Sequence, residues 1–316
     1  MKIQRAVPLK KYTTFQIGGP ANYFCIAKTN NELIGALNFA KGKKLPFFIL
    51  GGGSNLLISD AGFRGVVIKP LNTDYKILAC RRGRQNTEMH IGAGANLGRI
   101  VGATARAELS GLEWAAGVPG TFGGAVRGNA GAFGKDMAQS IRSVDVYDSK
   151  AGKIFLLENN GCKFGYRDSI FKSKRHLIIL SANLILKKAE KDKILEKMKE
   201  YLNYRREKHP QDSSAGSIFK NFPFSVYSFQ KLTKKFPELE QFQARKDIPA
   251  AFLIAQCGLK GKKIGGAQIS EKHPNFIINN GNAKANDVVE LINFAKKSVK
   301  AKFQIKLTEE IQFLGF

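Results

Sequence analysis

The chain of 316 residues has few of the features that would assign it quickly. Its four cysteines, Cys25, Cys80, Cys162 and Cys257, form no CxxC pair and no His-bearing metal spacing. A disulfide framework and a structural zinc site are therefore excluded, and the thiols read as small hydrophobes of a reducing compartment. Its four histidines, His90, His176, His209 and His273, stand in no GxSxG or HExxH context, which leaves a serine triad and a zinc hydrolase without support. No GxxxxGK[ST] occurs, and no GxGxxG joins a strand to a helix, so a P-loop and a Rossmann pyrophosphate site are both excluded. The longest apolar stretch, Leu177 to Leu186, is broken by Ser181 and Asn183 and falls short of the roughly 20 residues of a membrane span. The opening MKIQRAVPLKKYTTF lacks the apolar core and small-residue cleavage site of a secretory signal, so a cytoplasmic protein is expected.

Acids are scarce as well: 25 Asp plus Glu stand against 51 Lys plus Arg, a formal charge of +26. The basic residues fall in short clusters at Lys41 to Lys44, Arg81 to Arg84, Arg205 to Lys208, Lys260 to Lys263 and Lys296 to Lys302. Without zinc-finger spacing or an RNP-type aromatic motif, no nucleic-acid partner is expected; a solvated basic surface accounts for the charge, and a small anionic substrate would use only part of it.

What is present is an ordinary globular composition, 43% hydrophobic and 24% charged, over about two domain lengths. YFCIAK and PFFIL read as strands around an amphipathic helix, NNELIGALNFAKG, whose Thr29 and Glu32 have capping-box spacing. GVVIK, YKILAC and MHIG add strands. A helix is predicted from Asn96 to Leu109 with Gly111 as its stop. SVDVYD and KIFLLE read as a hairpin, and HLIILSANLILK as a buried strand. A composition shift near Lys187 opens a charged helix, after which AAFLIAQC, a KIGGAQI strand, NFIIN and a helix from Asn286 form a compact α/β unit. The apolar tail IQFLGF is expected to dock on an earlier part of the chain.

Two glycine-rich segments stand out. Gly51-Gly52-Gly53-Ser54-Asn55 follows a strand and reads either as a nest of exposed N–H groups for phosphate oxygens or as a tight hairpin turn. The run from Gly111 to Gly134 forgoes side chains at entropic cost, as befits main chain that must approach a large flat ligand; Leu112, Trp114, Val118, Phe122, Val126 and Phe133 anchor it against disorder. The remaining polar groups, Tyr166-Arg167-Asp168-Ser169, Ser213 to Ser217 with Lys220 and Asn221, and Glu309-Glu310, are weak signals singly.

Taken together and in order, Tyr12-Thr13-Thr14-Phe15 with Ile17-Gly18-Gly19, GGGSNLLI, GVPGTFGGAVRGNAGAFG, FGYRDSIFK, AGSIFKN, LKGKKIGGAQIS with KHPNFIIN, and EEIQFLG resemble the UDP-N-acetylenolpyruvoylglucosamine reductase family over nearly the whole chain. The short spacing from Arg167 to Lys208 is similar to the subclass lacking a tyrosine-bearing loop. The segment from Phe222 to Ile248 is longer than that subclass carries, and Phe222 replaces a customary proline.

The resemblance implies an α+β fold: a two-subdomain FAD-binding unit of vanillyl-alcohol-oxidase type plus a C-terminal α/β substrate domain. On it, residues 1–72 form the first FAD subdomain, with a strand from 303–316 returning to it, and 73–187 form the second. A linking helix spans 188–204 and the substrate domain 205–302. It also implies tightly bound FAD, NADPH as co-substrate, and reduction of UDP-N-acetylglucosamine enolpyruvate to UDP-N-acetylmuramate for peptidoglycan synthesis. Gly51, Gly52, Gly53, Ser54, Asn55, Gly117, Pro119, Gly120, Gly123, Gly124, Asn129 and Gly131 then belong to the cofactor. Arg167 would stabilise the carboxylate and developing enolate together with Glu310, and Ser217 would protonate C2. Tyr166, Arg205, Lys208, Lys220 and Asn221 would serve the substrate, and no metal is implied. An oxidase on the same scaffold would keep the glycines but need no enolate proton donor.

Overall fold

Thr29 starts the first helix, Asn30–Gly42, by accepting the Glu32 N–H on its hydroxyl at 3.2 Å. The second half of the expected capping box is displaced by one residue: the Glu32 carboxylate takes the Lys28 N–H at 2.7 Å and pairs with the Met1 ammonium at 3.2 Å. Leu33, Ala36, Leu37 and Ala40 form its buried stripe. The computed structural model describes residues 1–78 and 86–316; the basic turn at Arg81 to Arg84, with Cys80, lies outside the described residues. Two units emerge, one of residues 1–7, 21–52 and 63–207, the other of 8–20, 53–62 and 208–316.

In the first unit a four-stranded sheet runs Ile3–Pro8, Pro20–Ala27, Phe63–Pro70, Phe47–Ile49. The strands on either side of the helix are thus not neighbours, because Phe63–Pro70 inserts between them, parallel to both. A larger antiparallel sheet is built on Leu177–Lys188, twelve residues long and paired on both edges, with Ile141–Asp148 on one side and Asn86–Gly92 on the other. Burial on both faces from Leu177 to Leu184 explains why only Ser181 and Asn183 interrupt its apolar run there. Ile141–Asp148 and Lys153–Glu158 form the expected hairpin, with Gly152 at φ +71° in the turn. Helices Leu97–Arg106 and Phe122–Gly128 supply Leu97, Ile100, Val101, Phe122 and Val126 to the core beneath this sheet.

The helix predicted to reach Leu109 ends at Arg106 instead. Leu109–Ser110 is captured as a short strand by Lys187 and Lys188, and Glu108 turns the chain there with φ +59°.

In the second unit the sheet order is Ser214–Ser217, Phe276–Asn279, Ala267–Ile269, Lys263–Ile264, all antiparallel. The helix expected from Asn286 begins at Ala285 and continues to Phe303, absorbing the start of FQIKL; Gln304, at φ +60°, ends it. It buries Val288, Leu291, Ile292, Ala295, Val299 and Phe303. The 222–248 segment contains a helix, Val226–Lys235, that no sequence signal marked, started by Ser225 and Ser228 in a reciprocal cap. The tail strand Gln312–Leu314 lies parallel to Leu56–Ile58. Among the described residues, no helix is long and apolar enough to cross a membrane.

Candidate active site

Phe47–Ile49 and Leu56–Ile58 flank the first glycine segment but do not pair with one another, so the hairpin-turn reading of Gly51 to Asn55 is overturned. In the first unit the two glycine segments meet. A β-carbon on Gly52 would lie 2.5 Å from the Cα of Gly120, and one on Gly51 would lie 2.6 Å from the Thr121 hydroxyl. Only bare main chain allows this approach. The N–H groups of Gly51, Gly52 and Gly120 donate to no main-chain carbonyl among the described residues. Main-chain donors brought together without side chains suit a pyrophosphate, so this part of the chain fits a dinucleotide. The Lys69 ammonium, half-buried on the neighbouring strand, donates to the Gly51 carbonyl at 2.9 Å, and burial lowers its pKa from the ordinary lysine value.

The second segment is held from behind. Arg205, near the end of helix Lys191–Lys208, donates Nε to the Ala116 carbonyl at 2.9 Å and Nη2 to that of Trp114 at 3.2 Å. Its guanidinium also lies over the Phe133 ring, 5.4 Å from the centroid. Burial, and then the nearby charge of Arg167, lowers its pKa from the usual arginine value. Gly123 donates its N–H to Ala93, Gly124 to the Thr121 hydroxyl, and Gly131 pairs with Asp136. Gly117 takes φ +77° in the turn that Arg205 closes, and Pro119 lies between Gly117 and Gly120.

Asn129, buried at 2% exposure with φ +42°, uses its carboxamide on the protein itself. It donates to the Gly165 carbonyl at 2.9 Å and to Asp136 at 3.2 Å, and it accepts the Ala138 N–H at 3.0 Å. Through Gly165 it anchors the turn that presents Arg167. Gly165 and Asp168 exchange two backbone hydrogen bonds at 3.0 and 3.1 Å, leaving Tyr166 and Arg167 at the tip. Arg167 has φ +54°, a conformation uncommon for a residue with a side chain, and its guanidinium packs over Tyr166.

In the second unit the chain beyond Ser217 runs beside the tail. Phe219 and Glu309 form an antiparallel bridge, the Glu310 N–H reaches the Ile218 carbonyl at 2.7 Å, and the Lys220 N–H reaches Thr308 at 2.9 Å. Asn55 donates its carboxamide to the Glu310 carbonyl at 3.2 Å, so Ser54 and Asn55 of the first glycine loop, Ser217 and Glu310 come together in this unit. The Gly53 carbonyl accepts the Thr14 N–H at 3.2 Å. Asn221 donates to Asp247 at 3.1 Å and accepts the Ala250 N–H at 3.3 Å, tying the 222–248 segment at its base. Lys208 ends the long helix immediately before this unit's His209.

Sequence reasoning missed the contact of Lys69 with the first glycine segment, because Lys69 carried no signal beyond a cation closing an apolar strand.

Comparison with known proteins gives two family matches: an FAD binding domain over residues 21–158, and the UDP-N-acetylenolpyruvoylglucosamine reductase C-terminal domain over residues 208–314. The chain is 40% identical over 309 residues to the UDP-N-acetylenolpyruvoylglucosamine reductase of Caldanaerobacter subterraneus subsp. tengcongensis, covering 98% of this chain and 92% of that protein. It is 38% identical over 311 residues to that of Clostridioides difficile, with coverage of 98% and 92%. The crystal structure of the UDP-N-acetylenolpyruvylglucosamine reductase from Thermus caldophilus superposes with a TM-score of 0.78 at 33% identity, covering 99% of each chain.

Proposed function

Because the chain belongs to the UDP-N-acetylenolpyruvoylglucosamine reductase family, we propose how its own residues divide the work of that reaction. The reaction is the NADPH-dependent reduction of UDP-N-acetylglucosamine enolpyruvate to UDP-N-acetylmuramate in peptidoglycan precursor synthesis. Bound FAD supplies hydride transfer from NADPH to C3 of the enolpyruvyl group.

The main-chain donors of Gly51, Gly52 and Gly120 cradle the pyrophosphate. Gly53, Ser54, Asn55, Gly117, Pro119, Gly123, Gly124 and Gly131 complete the cofactor's surroundings. Asn129 acts on them through the turns it anchors rather than by direct contact, since its carboxamide already serves Gly165, Asp136 and Ala138.

Hydride arriving at C3 leaves negative charge on the carboxylate side as an enolate, and the groups that matter are those that bind this charge more strongly than the ground state. Arg167 offers a permanent planar cation to the carboxylate. Glu310 shares in stabilising the enolate as a protonated donor or through water, and Ser217 gives its proton to C2, with Lys220 sharing the resulting charge. Tyr166 and Lys208 take the uridine diphosphate end, while Arg205 and Asn221 serve it through the loops they hold.

The observation that carries this division is the strip in which Ile218, directly after Ser217, accepts the Glu310 N–H on its carbonyl while Asn55 donates to the carbonyl of Glu310, 93 positions after Ser217 in the numbering. The test is the absorption spectrum of the purified protein, titrated anaerobically with NADPH and then with the enolpyruvyl nucleotide. Bleaching of the flavin by NADPH and its return on adding the nucleotide, much faster than with oxygen, is the expected result. A flavin that only oxygen reoxidises would overturn it.

A further inference from the structure

Ser217 can protonate C2 only if its hydroxyl is held at a fixed height, yet the ladder that carries it is broken at this point. Ser214 pairs with Ile278 and Ser217 with Phe276, so three steps on one strand match two on the other. The extra residue is absorbed next to Gly216, at φ +74°. The pairing ends at Ser217 and Phe276, and continuing its register by two residues would set Phe219 opposite Pro274, which has no N–H to give. A strand edge deprived of its partner here would leave Phe219 with an unmet donor and acceptor inside the core, since Phe219 is 2% exposed.

We propose that Asn275 is a positioning residue for Ser217, its carboxamide standing in for the strand residue that Pro274 cannot supply. Asn275 is 4% exposed. Its Oδ1 accepts the Phe219 N–H at 2.9 Å, its Nδ2 donates to the Phe219 carbonyl at 2.9 Å, and its own carbonyl accepts the Ile218 N–H at 2.8 Å. On the opposite edge the same strip is bonded to Thr308 and Glu310. Asn275 therefore closes one side of the strip whose other side carries Glu310, and it fixes both proposed groups in one frame. A carboxamide suits the position because it offers one donor and one acceptor in a plane, the pattern of a peptide group.

This inference rests on the proposed role of Ser217, and the experiment separates the two. Asn275→Asp keeps the shape and the acceptor but loses the donor toward the Phe219 carbonyl; protonating the new carboxyl at low pH restores it. Stopped-flow measurement of each half-reaction is made for Asn275→Asp, Ser217→Ala and the double variant, each relative to wild type at the same pH. Reduction of the flavin by NADPH is expected to be unchanged in Asn275→Asp. Its reoxidation by the nucleotide is expected to slow about a hundredfold at pH 8, a cost typical of misplaced reacting groups, and to recover as the pH falls. The double variant should be no slower than Ser217→Ala. Equal slowing of both half-reactions, or multiplying effects in the double variant, would overturn the role of Asn275. If Asn275→Asp fails to fold, Asn275→Ser must give the same split and the same non-additivity, and equal slowing overturns the inference there too. A Ser217→Ala variant that reoxidises normally would instead remove the reading on which it stands.

Discussion

The Lys296 ammonium holds the Glu309 carboxylate at 2.7 Å, tying the first of two adjacent acids to the long helix of the second unit. Glu310, the next residue, is the one whose main chain joins the Ser217 strip. This separates two residues that look interchangeable in the sequence. Glu310→Gln should slow flavin reoxidation by the nucleotide by about 10²-fold or more, the range of general acid effects, with NADPH-driven reduction intact. Glu309→Gln should change either half-reaction by only about twofold, because a half-exposed ion pair contributes little. Single-turnover kinetics of both variants decide the point, and the reverse ranking would reassign the acid.

Lys69 is costly to bury, and its ammonium is directed at the Gly51 carbonyl. Lys69→Met removes that charge-assisted bond while easing desolvation. The apoprotein should melt no lower than wild type, yet bind FAD about tenfold more weakly, in line with roughly 1.5 kcal/mol for a hydrogen bond to a charged group. Titration of the apoprotein with FAD, followed by flavin fluorescence, tests this. Unaltered affinity would show that the glycine loop holds its shape without the lysine.

Burial, with the Glu158 carboxylate nearby, pushes the Cys162 thiol up to about 11. The thiolate is the reactive form. Cys162 should therefore resist iodoacetamide at pH 8 in the folded protein and react once denaturant is added, as read by peptide mass spectrometry. Rapid labelling of native protein at this residue would contradict its burial.

His273 packs edge-on against His209 and Phe276, and burial draws its pKa below the ordinary 6.5. For a base favoured in its neutral form, the unfolded chain takes up the proton first. Its contribution to stability is therefore whole above about pH 6.5 and is lost as the pH falls from there toward the folded-state value. The melting temperature should fall less steeply between pH 7 and pH 5 in His273→Gln than in wild type. Parallel slopes would place the acid sensitivity elsewhere.

Local chemistry was legible wherever a short segment decides its own fate. Thr29 capped its helix and the 141–158 hairpin closed on Gly152, because caps and turns are settled by residues a few positions apart. The end of the helix at Arg106 was not legible, because the competing partner for Leu109 is Lys188, distant in sequence. The helix at Val226–Lys235 escaped notice because only Phe229 among its residues is buried, which leaves a weak periodic signal.

The sequence by itself determined the family, through collinear blocks, and with it the flavin chemistry and the identities of Arg167, Ser217 and Glu310 as candidates. It also marked Gly51 to Gly53 as a place where the chain offers bare main chain and no side chains to a ligand. Tertiary structure decided which groups meet: Gly52 against Gly120, Arg205 on the carbonyls of Trp114 and Ala116, and Asn275 in the place of a missing strand. These are hydrogen bonds and close approaches between residues tens of positions apart. No propensity or spacing encodes them, because their energy exists only after packing has excluded water from both partners.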